Sequence, residues 1–244
     1  MCDFCGGGSI SRRQFIYGGL VAPLALGPIE KDGLVEPVLR LNPQPGPRRV
    51  AVTLDACPGH FDPRIANLLV ERNIPATIFI TAVWMRMNPE GLAFFLKHPH
   101  IFTLENHGAR HLPPVLGGQP VYGLAVAGSW PAIETEITGG AEAIYKVTGR
   151  RPVWYRGAAG LYTPSVIPQI EALNIRVAGY SLVSDAGASL PAEMVASRIS
   201  AARDGDVIEG HINQPKRSSG AGIAAGLACL QQSGAQFVRL DDAA

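Results

Sequence analysis

Val50-Ala51-Val52-Thr53-Leu54-Asp55-Ala56-Cys57 and, one helical stretch later, Ala76-Thr77-Ile78-Phe79-Ile80 decide the fold class. Both are largely apolar runs, as expected of strands buried on both faces of a parallel sheet. Between them, Asp62-Pro63 supplies an N-cap followed by a proline at the first helical position. Ile65, Leu68 and Leu69 then share one helical face. Strand, helix, strand in that order is a parallel unit with a crossover helix.

The same alternation continues along the chain. β-like segments run from Val50 to Cys57, Ala76 to Ala82, Ile101 to Asn106, Pro152 to Arg156, Ile175 to Ser181, Asp206 to Ile212 and Ala235 to Leu240. Helical spacing links Ile133, Ile137, Ala141 and Ile144, and stops at Gly149. Further helices carry Ile167, Ile170 and Leu173 after Thr163-Pro164, then Met194 and Ile199, then Ile223, Leu227 and Leu230. About seven such units favour a closed or partly closed (β/α) barrel over an open doubly wound sheet. No G-x-G-x-x-G follows the first strand, which weakens a dinucleotide site. In either architecture the functional groups belong at the carboxyl ends of the strands.

The 244 residues suit one globular domain, or two small ones at most. With 47% hydrophobic residues the chain is not disordered, and 28 Gly and 20 Pro make it rich in loops. A net charge of +1 gives no electrostatic case for a nucleic-acid partner.

Residues 1–30 read as an address. Arg12-Arg13-Gln14-Phe15 precedes a weak apolar stretch, as in a twin-arginine export signal. That stretch is shorter than the ~20 apolar residues a membrane span needs. The expected location is exported, periplasmic or cell envelope, with no membrane span in the mature chain. Cys2 and Cys5 form a C-x-x-C without a second pair and read as incidental to this leader. Cys57 and Cys229 would be a structural pair only if the fold brought them together. Residues 31–48, with Leu41-Asn-Pro-Gln-Pro-Gly-Pro47, read as a linker or an arm laid over the domain, and residues 49–244 as the catalytic domain.

Polar residues sit at the predicted strand ends. Asp55 closes the first, where an acid among apolar residues needs a partner. His107 and His111 follow the third, Arg156 closes the fourth, Asp185 follows the fifth, and His211 closes the sixth. An H-x-x-x-H spacing places both imidazoles on one side of a helical turn, and such pairs suit zinc, nickel, cobalt or iron. A carboxylate within reach would take a proton from water, Arg156 would orient and ionise it, and His211 would protonate a leaving group. Each residue alone has a plainer reading. The histidine pair suits a surface turn, His211 a satisfied core histidine, and Arg156 an ion pair. Joint placement at one mouth favours the functional reading. His60, His98 and His100 lack that placement. Trp154, Tyr155 and Trp84 suit a sugar platform or, more plainly, packing.

These residues resemble the polysaccharide deacetylases of carbohydrate esterase family 4, with the NodB-homology fold. Thr53-Leu54-Asp55 resembles the family's Thr-Phe-Asp-Asp-Gly. His107-Gly-Ala-Arg-His111 resembles His-Ser/Thr-x-x-His, and Tyr155-Arg156-Gly157-Ala158-Ala159-Gly160 resembles Arg-x-Pro-Tyr-Gly. Tyr180 through Asp185 echoes the fourth motif, and Glu209-Gly210-His211 the fifth, Leu-x-His. The resemblance implies a deformed (β/α) barrel of about seven parallel strands. It implies a divalent metal, zinc first, held by His107, His111 and an aspartate. It implies removal of acetyl groups from N- or O-acetylated sugars of a polysaccharide.

Three positions depart from the pattern. Ala56 stands where the family's second, metal-binding Asp would be, so Asp55 inherits the base role and is also the candidate third ligand. Water or Asp62 completing the sphere, an empty site, and Cys57 as a thiolate ligand are the other options. Gly157-Ala158-Ala159 alters the groove wall, and Gly108 replaces the Ser/Thr. The expected site is Asp55, His211 and Arg156 for catalysis, Tyr155, Asp185 and Trp154 for substrate, and His107, His111 and Asp55 for metal. A backbone N–H near Tyr155 would assist an oxyanion. The rival functions are a non-catalytic glycan-binding protein, favoured by Ala56, and a hydrolase of non-sugar C–N amide bonds.

Overall fold

A computed structural model describes residues 29–31 and 33–243. The expected export signal and the Cys2–Cys5 motif lie outside the described residues. The chain enters through an antiparallel hairpin, β1 (Ile29–Lys31) and β2 (Leu34–Glu36). The strands of the main sheet are β3 (Arg49–Ala56), β4 (Ala76–Ile80), β5 (Phe102–Asn106), β6 (Trp154–Tyr155), β7 (Arg176–Val177), β8 (Leu182–Val183), β9 (Val207–His211) and β10 (Gln236–Val238). Seven of them follow the order β7-β6-β5-β4-β3-β9-β8, all parallel, and β10 pairs with the start of β3. The sheet curls into a half-barrel, the deformed (β/α) barrel expected from the alternating pattern.

Strand alternation sorts the side chains into two layers. Val50, Val52, Leu54 and Ala56 face outward and pack with Ile65 and Leu69 of α1 (Pro63–Glu71) and, further along the chain, Ile223 and Leu227. Ala51, Phe79, Trp154 and Val207 face inward. Each fully buried aliphatic or aromatic side chain contributes about 1.5–3 kcal/mol, so the outer layer is the main source of stability. Asp62 caps α1 as expected, its Oδ1 accepting from Arg64 N at 3.1 Å. The helix with its apolar face on Ile133, Ile137 and Ile144 is Trp130–Thr148, and it ends at Gly149 with φ +69°, as the sequence indicates.

Two regions differ from the sequence reading. Residues to which the sequence reading assigns no helix form α2 (Ala82–Met87) and α3 (Pro89–Lys97), and Trp130–Thr148 is therefore α4. Both are short, and their apolar residues surround one aromatic cluster in which Trp84 stacks on Phe95 at 5.6 Å. Apolar residues on several sides of a short helix leave little periodicity to read. Trp84 is fully buried there and cannot be a sugar platform. The expected strand Ile175 to Ser181 ends at Val177, and β8, on the opposite edge of the sheet, follows. The remaining helices are α5 (Ile167–Glu171), α6 (Ala192–Ser200), α7 (Ser219–Gln232) and α8 (Leu240–Ala243).

The link between β7 and β8 crosses the open side of the half-barrel, and the arm lies along it. Val35 and Tyr162 exchange backbone hydrogen bonds at 2.9 and 3.0 Å, Leu39 N donates to Tyr180 O, and Leu41 N donates to Gly205 O. Gly179 lies so close to the Pro37 carbonyl that a Cβ there would collide with it. Cys57 and Cys229 form no disulfide. No helix among the described residues is long and apolar enough to cross a membrane.

Candidate metal centre and catalytic cavity

Register brings the strand ends together. Asp55 pairs with His211 on one side and Phe79 on the other, and Asn106 pairs with Ile80 and Tyr155. The carboxyl ends thus form one rim around a cavity of about 500 Å³. Asp55, Cys57, His107, His111, Glu209 and His211 line its floor, with Tyr180 and the arm's Glu36 on the wall.

Asp55 and Arg156 form a buried ion pair. Arg156 Nη1 donates to Asp55 Oδ1 at 2.8 Å, and Nη2 donates to Thr53 Oγ1 at 2.9 Å and to Gly179 O at 3.1 Å. The guanidinium sits 4.2 Å over the Phe79 ring, which is packing available to a delocalised cation. Burial would push the Asp55 carboxyl up, but the charges of Arg156, His107 and His211 hold it below its ordinary value.

His107 and His111 meet without a helix. Residues 107–112 are a loop, not the helical turn that the spacing predicts, and His111 takes φ +72°. The buried Glu136 of α4 holds this shape, its Oε1 accepting the backbone N–H of Arg110 and of His111, both at 2.7 Å, and of Leu112 at 3.2 Å. Gly108 has φ +91°, and a Cβ there would run into the Glu136 carboxylate. That accounts for glycine where the resemblance expects Ser or Thr. The two imidazole rings stand 5.0 Å apart, centroid to centroid.

The donor atoms of Cys57, His107 and His111 lie within 4.8 Å of one another, while Asp55 groups with Glu209 and His211. Asp55 Oδ2 is 3.9 Å from His107 Nε2. His107 Nδ1 donates to Arg156 O at 2.7 Å, so its Nε2 presents a lone pair to the cavity, as in metal-ligating histidines braced by a carbonyl. His111 Nε2 is buried and has no hydrogen-bond partner. A buried orphan nitrogen beside a lone pair and a thiol is what a divalent cation would satisfy. The residues therefore fit a metal. Burial alone would raise the Cys57 thiol, but the electrostatic effect of the surrounding imidazoles, His107 first, holds it well below the usual thiol range.

Across the cavity, His211 is held by Asp185. Its Nδ1 donates to Asp185 Oδ1 and its backbone N–H to Oδ2, both at 2.9 Å, and Glu209 Oε1 lies 3.2 Å from Nδ1. Burial opposes protonation of His211, but the Glu209 carboxylate and the Asp185 hydrogen bond outweigh it and push its pKa well above the usual value. Glu209 is pushed up to about 8, chiefly by burial.

The residues expected to touch substrate do not line the cavity. Trp154 is buried with its Nε1 donating to Asp241 at 2.9 Å and Arg176 over its ring. Tyr155 is fully buried against Tyr162. Asp185 is fully buried behind His211. Asp62 caps α1 and pairs with Arg64 at 2.6 Å, away from the histidines. The amides after Tyr155 are engaged inside the fold, Arg156 N with Asn106 O and Gly157 N with the Tyr162 hydroxyl. The sequence reading gave no site role to Glu209 and Tyr180, which it quoted only within motifs, and missed Glu136 and Glu36. Glu209 stands two residues before His211 on one strand, which puts both on one face. Glu136 interrupts the apolar face of α4 beside Ile133 and Ile137. Glu36 has no signal in the sequence.

A family model described as polysaccharide deacetylase matches residues 42–178. Among solved structures, the peptidoglycan N-acetylglucosamine deacetylase Bc1960 aligns at 19% identity and TM-score 0.66, covering 80% of this chain and 86% of that one. PdaA of Bacillus subtilis, a family 4 carbohydrate esterase, aligns at 16% identity and TM-score 0.65, covering 84% and 83%. A family 4 pseudoenzyme from Bacillus anthracis aligns at 16% identity and TM-score 0.64, covering 82% of this chain and 66% of that one. None of the curated proteins compared with the chain matches it.

Proposed function

Because the chain belongs to the polysaccharide deacetylase family, we propose that it is a metal-dependent hydrolase that removes acetyl groups from N- or O-acetylated sugars of a polysaccharide outside the cytoplasm. One observation carries this reading. The His107–His111 pair, His211 and Asp55, itself paired with the buried Arg156, meet at the floor of one cavity. His107 and His111, with one further donor from the end of β3, would hold the cation. When bound, a divalent cation supplies Lewis acidity to the acetyl carbonyl and acidifies water beside it, and zinc is one of the metals that imidazole ligands suit.

The chain's own groups do the rest. Asp55, kept ionised by Arg156, takes the proton from the attacking water at Oδ2, the oxygen that does not accept the Arg156 Nη1 hydrogen bond. Asp185 accepts the Nδ1 proton of His211, and the raised pKa of this ring favours the imidazolium, which carries a second proton on Nε2. It gives that proton to the departing sugar nitrogen or oxygen. Tyr180 and Glu36 border the opening through which a sugar chain would reach the floor.

Acetate release from N-acetylated and O-acetylated glycans, measured before and after chelation and metal return, tests this. Loss on chelation and recovery with metal support it. Activity that survives both chelation and His107→Ala would overturn it. A second reading, glycan binding without catalysis, is favoured by Ala56 in place of the family's second aspartate. It predicts saturable glycan binding with no acetate released at any metal loading.

A further inference from the structure

We propose that Cys57 is a metal ligand of this chain, its thiolate completing a His2Cys site with His107 and His111. The inference rests on the metal-dependent reading above and names the donor that reading leaves open. Three observations carry it. Cys57 directly follows β3, so alternation turns position 57 to the cavity side with Asp55, while Ala56 packs into the outer apolar layer. Cys57 Sγ lies 3.3 Å from His107 Nε2. Two ligands on one tetrahedral zinc, with bonds of about 2.0 Å to nitrogen and about 2.3 Å to sulfur, stand roughly 3.5 Å apart. The third observation is His111, which has a ring nitrogen within 4.8 Å of both other donor atoms and whose buried Nε2 has no hydrogen-bond partner.

Asp55 is the competing donor, and its surroundings argue for the base role instead. One of its oxygens accepts from Arg156 at 2.8 Å, and its donor atoms group with those of Glu209 and His211 rather than with the His107–His111 pair. The thiolate thus replaces, from the next position in the chain, the charge that Ala56 does not supply. On binding, the thiol proton leaves to solvent and a sulfur–metal bond forms, with no change in oxidation state. A donor set of two imidazoles and a thiolate selects zinc or cobalt over magnesium, calcium or manganese.

Cobalt(II) reconstitution of the full-length protein tests this by absorption. The native protein should show visible d–d bands and an intense near-ultraviolet sulfur-to-cobalt charge-transfer band. A Cys2→Ser/Cys5→Ser variant should keep that band. Cys57→Ser should lose it and weaken cobalt binding by about 100-fold, the upper end of what even an outer-sphere change costs. Cys57→Asp should restore binding without the band. Should Cys57→Ser fold poorly, iodoacetamide labelling of the native protein with peptide mapping gives the same answer, with cobalt or zinc shielding Cys57. Bound cobalt with no charge-transfer band, or with one that persists in Cys57→Ser, would overturn the thiolate while leaving metal dependence standing. No bound cobalt at all would overturn both.

Discussion

Glu136 Oε1 accepts the backbone N–H of His111 at 2.7 Å, and the residue it holds there has φ +72°. A non-glycine residue in that region is strained by about 1–3 kcal/mol, so the loop keeps its shape only while the carboxylate is present. Glu136→Ala strands three amides and should destabilise the protein by about 2 kcal/mol in urea denaturation. It should also weaken metal binding by roughly 10–100-fold. Glu136→Gln keeps a carbonyl acceptor and should lose less. Native metal affinity in Glu136→Ala would show that the loop holds its histidines unaided.

Arg156 is the main counter-charge of Asp55. Without it, burial dominates and the Asp55 pKa rises. In the native protein this depressed carboxyl contributes stability above its ordinary range, and the contribution is lost as pH falls through the lowered value. Arg156→Met should cost about 3–5 kcal/mol at neutral pH, because it leaves a buried charge unpaired. Acid unfolding of the metal-free variant should start at higher pH, and the acid limb of kcat/KM should move upward. Denaturation across pH and a pH–rate profile measure both.

Asp185 sets the tautomer and charge of His211. The raised His211 pKa contributes stability below the ordinary imidazole value, and that contribution is lost as pH rises through the folded value. Asp185→Asn removes one of the three groups that raise it, the others being Glu209 and Cys57. Histidine NMR titration should show the His211 transition moving to lower pH, and the basic limb of kcat should follow. An unmoved transition would mean that Glu209 and Cys57 control the ring.

Glu209 titrates from the opposite side. Its pKa of about 8 in the folded chain means the protonated form is favoured there, against an ordinary value of 4.5. Its contribution to stability is full below the ordinary value and fades as pH rises towards 8. The metal-free protein should therefore lose stability across that window, and Glu209→Gln should flatten the loss. Urea denaturation at closely spaced pH values reads this, and an unchanged slope in the variant would place the titration elsewhere.

The frame of the fold was legible because β3, β4 and the helices around Ile65 and Ile133 carry their periods openly. The rim was legible because Asp55, Arg156 and His211 stand at strand ends, where a parallel sheet gathers them. The His107–His111 pair was anticipated for an insufficient reason. Its spacing suggested a helical turn, but a strained loop and a distant carboxylate bring the rings together. Trp154, Tyr155 and Asp185 were expected at the substrate because strand ends were treated as points. In the structure, what decides access is the side of the strand and the burial behind it. Helices α2 and α3 went unread because their apolar residues do not keep to one stripe.

The arm has a practical consequence for anyone dividing this chain. Its backbone pairing with Tyr162, Tyr180 and Gly205 seals the seam between the edge strands and sets Glu36 beside the floor. A fragment starting at residue 49 would keep every strand of the main sheet and yet have a breach in its side. The smallest piece that encloses the cavity therefore begins upstream of Leu34, in a stretch whose composition reads equally well as a linker.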